Sequence, residues 1–265
     1  MTLKLTSPGK VTTPRNTTAI KVVIVTMDTH LASSVNRARH TLGREYPGLS
    51  LSLHAASEYA GNEVLTAQCK ADIAQADIVI AGMLFLEDHF LPILPALRER
   101  RDGCDAMICM ASATEVVQLT RLGNFDMGKP ASGPMALLKK LRGKKEKNST
   151  GGAAQLKMLR RIPQMLRFIP GTAQDVRAYF MTLQYWLGGS DDNVLNLVRH
   201  AVDRGADGPR KVLRGLSKVA PPVEYPELGV YHPRMAGRYA AQADRLPAPV
   251  TAKTVGTVGI LVLRS

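Results

Sequence analysis

IKVVIVT, residues 20–26, is the stretch that decides the fold. It is an almost unbroken run of β-branched residues, which is typical of a strand buried on both faces of a parallel sheet. The segment that follows, residues 29–46, places Leu31, Val35 and Leu42 on one face of a helix. A buried strand that leads straight into an amphipathic helix is the first half of a βαβ unit.

The same alternation continues along the first half of the chain. LSLSLHA (49–55), ADIVIAGM (76–83) and CDAMICMA (104–111) have the composition of further buried strands, and helical segments separate them, the first over about residues 58–73. Strands and helices that alternate at this spacing predict an α/β domain over residues 20–142. Its sheet is expected to be doubly wound and mainly parallel, of the Rossmann or flavodoxin-like kind.

The rest of the chain is predicted to be less regular, apart from one helical region. In that region Pro163 predicts a kink, and Thr172 and Ser190 are predicted to cap the helices that follow them. We expect TVGILVLRS, the final run, to be the first strand of a further, truncated α/β domain, because a parallel strand needs a crossover and a partner. The predicted segments outside the α/β domain are a flexible tail (1–19), a mobile basic loop (143–154), the helical region (155–204), an irregular linker (205–254) and the start of the next domain (255–265).

The charge of the chain favours anionic partners. Over 265 residues the formal net charge is 35 − 22 = +13, and ten cations against one acid lie between Lys139 and Arg167. Nucleic acid is the weaker choice of partner, because Phe168 is the only aromatic residue near these cations on which a base could stack. The three cysteines lack metal-ligand spacing and are interpreted as buried thiols of a reducing compartment. No metal site is predicted, and no apolar run reaches the roughly 20 residues that span a bilayer.

Polar pairs of an acid and a histidine follow two of the predicted strands at the expected ligand-binding edge: Asp28 and His30 after the first strand, and Asp88 and His89 after the third. An acid beside an imidazole can bind a metal or direct a proton transfer. TMDTH is also close to the D-x-H-x-x-G pattern of cobalamin-binding domains, although Ser33 stands in place of the glycine. The alternative is structural, with Asp28 capping the next helix and His30 a partly exposed polar residue.

Two further motifs are excluded as functional. GNFDMGKP (123–130) matches the glycines and lysine of a phosphate-binding loop, but it follows a predicted helix (112–123), and Pro130 replaces the hydroxyl that would hold magnesium. ATP binding by this chain is therefore not expected. A phosphoacceptor receiver domain would need an acid directly after the third strand, where this chain has Gly82 and Met83.

Longer strings carry a resemblance to a known family. GPMALLKKLRG (133–143) and LRFIPGTAQDVRAYFMTLQYWLGGSDDNVLNLVR (166–199) closely resemble the amino-terminal part of the large, porphyrin-binding subunit of magnesium chelatase. VVIVTMDTHLASSVNRAR (22–39) and the final TVGILVLRS are similar to the same subunit. The related cobaltochelatase large subunit shares the general plan, but RAYFMTLQYWLGGS (177–190) favours the magnesium branch.

The resemblance implies a role in chlorophyll and bacteriochlorophyll biosynthesis. The family binds protoporphyrin IX as substrate and receives Mg²⁺ in an ATP-dependent reaction. Its partners are an AAA+ ATPase subunit, an integrin-domain subunit and the remainder of its own large subunit. ATP and Mg²⁺ belong to the complete complex, so that this chain alone is not expected to be active. A cytoplasmic, bacterial location is expected.

The resemblance also directs attention to arginines and aromatic residues in the helical region. Guanidinium groups pair bidentately with carboxylates such as the porphyrin propionates, and aromatic rings provide flat apolar walls. Two alternatives stay open: a docking or gating module for partner subunits or an anionic membrane surface, in which the aromatic residues pack and dock, and a corrinoid-binding domain. The proposed porphyrin-binding residues are Asp28, His30, Arg160, Arg161, Arg167, Tyr185 and Trp186.

Overall fold

The structure is a computed structural model that describes residues 17–129, 161–224, 230–231 and 239–240. Several of the sequence predictions lie wholly or partly outside these residues: most of the tail, the end of the predicted α/β domain (130–142), the basic loop (143–154), the start of the helical region with Arg160 (155–160), more than half of the linker (205–254) and the final strand (255–265). The chain divides into two units, Met1–Val223 and Glu224–Ser265. In the second unit, the described residues form a two-stranded antiparallel pair, β7 (Val230–Tyr231) and β8 (Tyr239–Ala240).

The first unit is built on one sheet with the strand order β2-β1-β3-β4-β5-β6. The first four strands pair in parallel, and the last two form an antiparallel hairpin at one edge. The predicted α/β class with a mainly parallel sheet is confirmed. The strands are β1 (Ile20–Thr26), β2 (Leu49–Ala55), β3 (Ile78–Gly82), β4 (Ala106–Met110), β5 (Arg121–Leu122) and β6 (Phe125–Asp126).

Helices connect these strands and follow the hairpin. Residues 161–165 are also helical, and a 3₁₀ helix (Gly208–Leu213) follows the last α-helix. The α-helices are α1 (Ala32–Glu45), α2 (Ala56–Tyr59), α3 (Glu63–Gln75), α4 (Glu87–Phe90), α5 (Leu94–Arg100), α6 (Thr114–Val117), α7 (Thr172–Gly188) and α8 (Asp191–Gly205).

The sheet is buried on both faces, which explains the unbroken apolar composition of its strands. Successive side chains of a strand point to opposite faces. Val22 and Ile24 of β1 therefore pack in one cluster, together with α1, α7 and α8. Val23 and Val25 pack in the other, together with α3 and α5. The unit is a sheet between two helical layers.

The helices α7 and α8 cross the sheet in opposite directions. At the end of α8, Gly205 packs against Ala106 and Ile78, where β4 and β3 begin; we call this the amino edge of the sheet. At the end of α7, Trp186 packs against Gly82, where β3 ends; we call this the carboxyl edge. α7 thus runs from the amino edge to the carboxyl edge, and α8 returns.

Three local predictions were wrong. The helix predicted over residues 58–73 is broken between α2 and α3, where Gly61 has a φ of 77°. The helix predicted over residues 112–123 is only the short α6, because the Thr120 hydroxyl donates to Cys109 O (2.9 Å) and accepts from Cys109 N (3.1 Å), which ties the chain to β4. Thr172 is the first residue of α7 rather than its cap, and Gly171 holds the cap position with a φ of 76°.

Two other local predictions can be compared directly. Ser190 caps α8 as predicted, since its hydroxyl accepts a hydrogen bond from Asn193 N at 3.3 Å. Gly123, the first residue of the excluded phosphate-loop motif, follows a strand rather than the predicted helix. It forms the turn between β5 and β6 with a φ of 57°. This hairpin was not predicted, because two-residue strands leave no periodic signal.

Candidate functional site

The strand order places a topological switch point between β1 and β3. The chain leaves β1 towards β2 on one side and returns to β3 on the other. In open parallel sheets, ligands bind in the crevice outside the carboxyl ends of the strands at such a point. The segments that reach the carboxyl edge here are residues 27–30 after β1 and residues 83–86 after β3. The candidate site is therefore built from these two turns.

Asp28 and His30 are hydrogen-bonded to each other at this edge. The backbone N–H of His30 donates to Asp28 Oδ1 at 3.0 Å, and its ring Nδ1 contacts the same oxygen. Both side chains are about one-third exposed. Partial burial raises the pKa of the Asp28 carboxyl, but the hydrogen bonds from His30 outweigh it and the net pKa is lowered. Asp28 does not cap α1, which begins after Leu31 without a side-chain cap, so the capping alternative is wrong.

The turns after β3 and β4 are strained and hold each other in place. Met83 has a φ of 64° and Ala111 a φ of 43°, in the left-handed region that residues other than glycine rarely adopt. Met83 N donates to Ala111 O at 2.9 Å. The Ser112 hydroxyl accepts from Leu84 N at 3.1 Å. Such strain costs about 1–3 kcal/mol per residue and is concentrated at active sites and ligand clamps. Phe85, the next residue along, is 52% exposed.

Trp186 lies at the same edge but inside the protein. Its side chain is 4% exposed, and its ring contacts Gly82 at the end of β3. Thr26, the last residue of β1, is fully buried, and among the described residues its hydroxyl has no hydrogen-bond partner. Because Thr26 alternates with Val25, it points to the helical layer that contains α7. The carboxyl edge thus has a buried polar atom on the Trp186 side of the sheet.

Tyr185 is a packing residue in this structure. Its hydroxyl donates to Ala220 O at 2.5 Å, and its ring centroid lies 5.5 Å from that of His200. Burial raises its pKa to about 12. Neither Tyr185 nor Trp186 presents an open ring face, so stacking against a macrocycle would require α7 to move away from the sheet. The porphyrin-wall hypothesis for these two residues stays a prediction.

The predicted arginines lie at the opposite edge. Arg161 and Arg167 are exposed and precede α7, whereas Trp186 belongs to its last turn. A helix of 17 residues is about 25 Å long at 1.5 Å per residue. The structure therefore brings Asp28, His30 and Trp186 to one edge and separates them from the arginines. Arg160 is not among the described residues.

The surface around the predicted arginines is partly apolar. Phe168 is 85% exposed and Met165 is 59% exposed. The Arg167 guanidinium carbon lies 5.5 Å from the centroid of the Phe168 ring, which is a cation–π distance. Neighbouring exposed apolar side chains of this kind make this surface a candidate contact surface.

Sequence reasoning missed Arg177, which is half-buried on α7. Its Nε donates to Pro163 O at 3.1 Å, and no described acidic residue pairs with it. The available signal was its position between Val176 and Ala178, both of which are buried. An arginine whose two sequence neighbours on a helix are both buried is expected to be partly buried itself.

The cysteines behave as predicted. Cys69, Cys104 and Cys109 are buried and unbridged. Burial raises the pKa of all three thiols, that of Cys69 to about 12. Within the part of the chain that the structure describes, no group of three or more His, Cys, Asp or Glu side chains could hold a metal ion. In the same residues, no helix is both long and apolar enough to cross a membrane.

Comparison with known proteins identifies the class of domain. A sequence-family model described as a domain of unknown function, DUF3479, matches residues 21–180, and the chain belongs to this family. The chain is 47% identical to the magnesium-chelatase H subunit of Rhodobacter capsulatus over 252 residues, which are 95% of this chain and 21% of that protein. It is 46% identical to the magnesium-chelatase H subunit of Cereibacter sphaeroides over 257 residues, which are 97% of this chain and 21% of that protein.

A plant relative extends the comparison. The chloroplastic ChlH subunit of magnesium chelatase from Oryza sativa subsp. japonica is 32% identical over 225 residues, which are 83% of this chain and 16% of that protein. The chain spans about a fifth of the length of the Rhodobacter and Cereibacter proteins. The predicted resemblance to the amino-terminal part of the large subunit of magnesium chelatase is confirmed.

Proposed function

We propose that this chain is the amino-terminal part of the porphyrin-binding subunit of a magnesium chelatase, which inserts Mg²⁺ into protoporphyrin IX in chlorophyll or bacteriochlorophyll synthesis. The observation that carries the proposal is the similarity to a bacterial magnesium-chelatase H subunit over 95% of the chain. Protoporphyrin IX and Mg²⁺ are substrates in this proposal. The complete complex acts as an ATP-dependent ligase that forms nitrogen–metal bonds, and it works in the bacterial cytoplasm.

The ATP requirement is assigned to partner subunits, an AAA+ ATPase and an integrin-domain protein. In this chain the motif that resembles a phosphate loop is the β5–β6 hairpin, whose turn residue Gly123 packs against the Asp175 carboxylate. A carboxylate at that turn would repel a nucleotide phosphate. The chain by itself is therefore expected to be inactive, with the rest of the large subunit supplying the metal-insertion site.

The role of this part is proposed to be capture or gating of the porphyrin. Arg161 and Arg167 would pair with propionate carboxylates, because a guanidinium offers two parallel donors to a carboxylate. Phe168 and Met165 would cover part of the macrocycle edge, since both are exposed beside the arginines. Asp28 and His30 lie at the carboxyl edge of the sheet. They would contact the porphyrin at a point separate from the arginines.

Porphyrin titration of the purified chain tests capture. Fluorescence of Trp186, the single tryptophan, and the Soret band of a soluble porphyrin dicarboxylate would be followed at low and high salt. Saturable binding that survives high salt and weakens in the double variant Arg160→Ala/Arg161→Ala would support capture. Arg98→Gln, an exposed arginine on α5 in the opposite helical layer, is the matched control. No binding by the folded chain would leave gating or docking as its role.

A hybrid enzyme tests the proposed identity itself. The matching region of the Rhodobacter capsulatus H subunit would be replaced by this chain and assayed for Mg²⁺ insertion with its two partner subunits. Retained insertion is expected, because 47% identity preserves the fold and its contacts. A hybrid that folds but does not insert Mg²⁺ would contradict the proposal.

A docking module is the second candidate function, and the exposed Phe168 ring favours it. A ring that is 85% exposed beside Arg167 suits an anionic protein face or membrane surface. The two candidates differ in their salt dependence, because charge-driven docking weakens steeply with ionic strength while burial of a macrocycle does not. A corrinoid carrier, the third interpretation of the sequence, would need His30 as ligand, and His30→Ala would abolish its corrinoid spectrum.

A further inference from the structure

Arg177 carries a charge that the described part of the protein does not neutralise. It lies on α7 between Val176 and Ala178, both buried in the core cluster, and it is itself half-buried. One of its five donors, the Nε–H, reaches Pro163 O at 3.1 Å. Among residues 17–129 and 161–224, no Asp or Glu pairs with it. A partly desolvated guanidinium of this kind is stabilised when an anion completes its hydrogen bonds.

Arg204 of α8 lies at the same end of the helix pair. α7 and α8 are antiparallel, and His200 Nε2 donates to Ala178 O at 3.1 Å. Arg204 is one turn beyond His200, and Arg177 directly precedes Ala178. Both arginines are therefore presented at the amino edge of the sheet.

Arg167 approaches the same place from the segment before α7. Its carbonyl oxygen accepts a hydrogen bond from Gln174 Nε2 at 3.2 Å, one turn before Arg177 on the helix. Three arginines from three segments thus lie at the amino edge, near the start of α7, and the charges of Arg204 and Arg167 both act on Arg177. The acid beside them is Asp203, whose Oδ2 lies 3.4 Å from Arg204 Nε and whose Oδ1 accepts from Gly215 N at 2.9 Å.

The electrostatics agree with this geometry. Burial lowers the pKa of Arg177, and the charges of Arg204 and Arg167 lower it further. Arg204 and Arg177 also act on buried His200, whose pKa is depressed to about 4 chiefly by burial. His200 is therefore neutral at pH 7 and adds no cation. The cluster has an excess of positive charge that a bound anion would relieve.

We propose that Arg167, Arg177 and Arg204 form a binding site for an oxyanion, either a carboxylate or a phosphate group. The planar fork of Arg177 presents parallel donors that match both groups, and the flanking arginines supply attraction from two sides. The site shares Arg167 with the proposed propionate contact and, for a porphyrin carboxylate, rests on the proposed function. Phosphate binding that depends on Arg177 tests the site independently of that function. The site is also distinct from the carboxyl-edge turns, which lie at the other end of α7.

Thermal unfolding of this chain in sodium phosphate tests the site. Sodium chloride of equal ionic strength is the reference, so that general screening cancels. At ten times the dissociation constant, phosphate is expected to raise the Tm by about 3 °C. Arg177→Gln should lose most of that rise, and Arg98→Gln should keep it. An equal rise in wild type and Arg177→Gln would overturn the proposal.

Two further measurements keep the result decisive. If Arg177→Gln does not fold, Arg204→Gln replaces it, because Arg204 lies in the last turn of α8 and is more exposed to solvent. Sodium acetate and a soluble porphyrin dicarboxylate are then compared with phosphate. A rise with phosphate alone identifies a phosphate site, and a rise with the carboxylates alone identifies a carboxylate site. Absence of any Arg177- or Arg204-dependent rise with all three probes would refute the site.

Discussion

The indole ring of Trp186 lies against the backbone of Gly82, so closely that a Cβ atom at position 82 would stand 2.6 Å from Cζ2 of the ring. Gly82→Ala is therefore expected to destabilise the protein by about 1–3 kcal/mol through overpacking. Urea unfolding at pH 7 measures the change. In a Trp186→Leu background the same substitution should cost less, because the clashing ring atom is gone. Equal costs in both backgrounds would contradict the contact.

Gly123 makes a similar contact with a different cause. Its φ of 57° suits glycine, and a Cβ atom there would lie 2.7 Å from the Asp175 carboxylate. That carboxylate accepts a hydrogen bond from Asn124 N at 2.9 Å. Gly123→Ala should lower the free energy of unfolding by about 1–3 kcal/mol. Gly43→Ala, in the exposed part of α1 with open space around it, is the matched control. That control should instead stabilise by about 0.5–1 kcal/mol, and the two changes should differ in sign in the same urea titration.

Because of His200, the free energy of unfolding is expected to fall in mild acid. The His200 ring is buried, and burial depresses its pKa from 6.5 to about 4. The unfolded chain therefore binds this proton below pH 6.5 while the folded chain resists it, so the stabilisation present at pH 7 is lost as the pH falls towards 4. Between pH 7 and pH 5 the loss should be about 2 kcal/mol.

The control for this prediction is His200→Gln. Glutamine keeps a donor for Ala178 O but does not titrate, so its stability should change less over the same pH interval. Chemical denaturation of both proteins at pH 7, 6 and 5 isolates the histidine, because all other titrating groups are shared. Parallel pH profiles for wild type and variant would show that His200 is not the responsible group.

Arg199 and Glu45 join α8 to α1 by a two-point ion pair. Arg199 Nε donates to Glu45 Oε2 at 2.9 Å, and its Nη2 contacts the other oxygen. The hydrogen bond from Arg199 is the main cause of the lowered pKa of Glu45. Arg199→Met leaves this partly buried carboxylate without its partner and should destabilise by about 1–3 kcal/mol. Arg37→Met, which removes an exposed pair with Asp191, should have little effect on the same denaturation curve.

The sequence was sufficient for the parallel core because its signals are local. Ile20–Thr26 is apolar on both faces, and that composition has few explanations other than a strand covered on both sides. The face of α1 that carries Val35 and Leu42 was also readable from periodicity. The break at Gly61 was missed because it depends on a single left-handed residue within a longer apparent pattern. The hairpin at Gly123 was missed because its strands are only two residues long.

The candidate sites were less predictable because they join distant parts of the chain. Trp186 meets Gly82 across 104 positions of sequence (186 − 82 = 104), and no local pattern encodes that contact. The strain at Met83 and Ala111 has no sequence signal either, since neither position holds the glycine that a left-handed turn favours. The positions of Asp28 and His30 at the carboxyl edge were predictable, because both follow a strand whose end the sequence already indicated.

The burial of Cys69, Cys104 and Cys109 makes their reaction with thiol reagents a measure of local or global opening. Thiol reagents attack the thiolate, and these thiols are shielded and hard to deprotonate while the fold is closed. In the presence of an alkylating reagent, an opening that exposes a thiol lets it react irreversibly. At reagent concentrations where reaction outpaces reclosing, the rate of modification therefore reports how often the α/β unit opens, under native conditions and without denaturant.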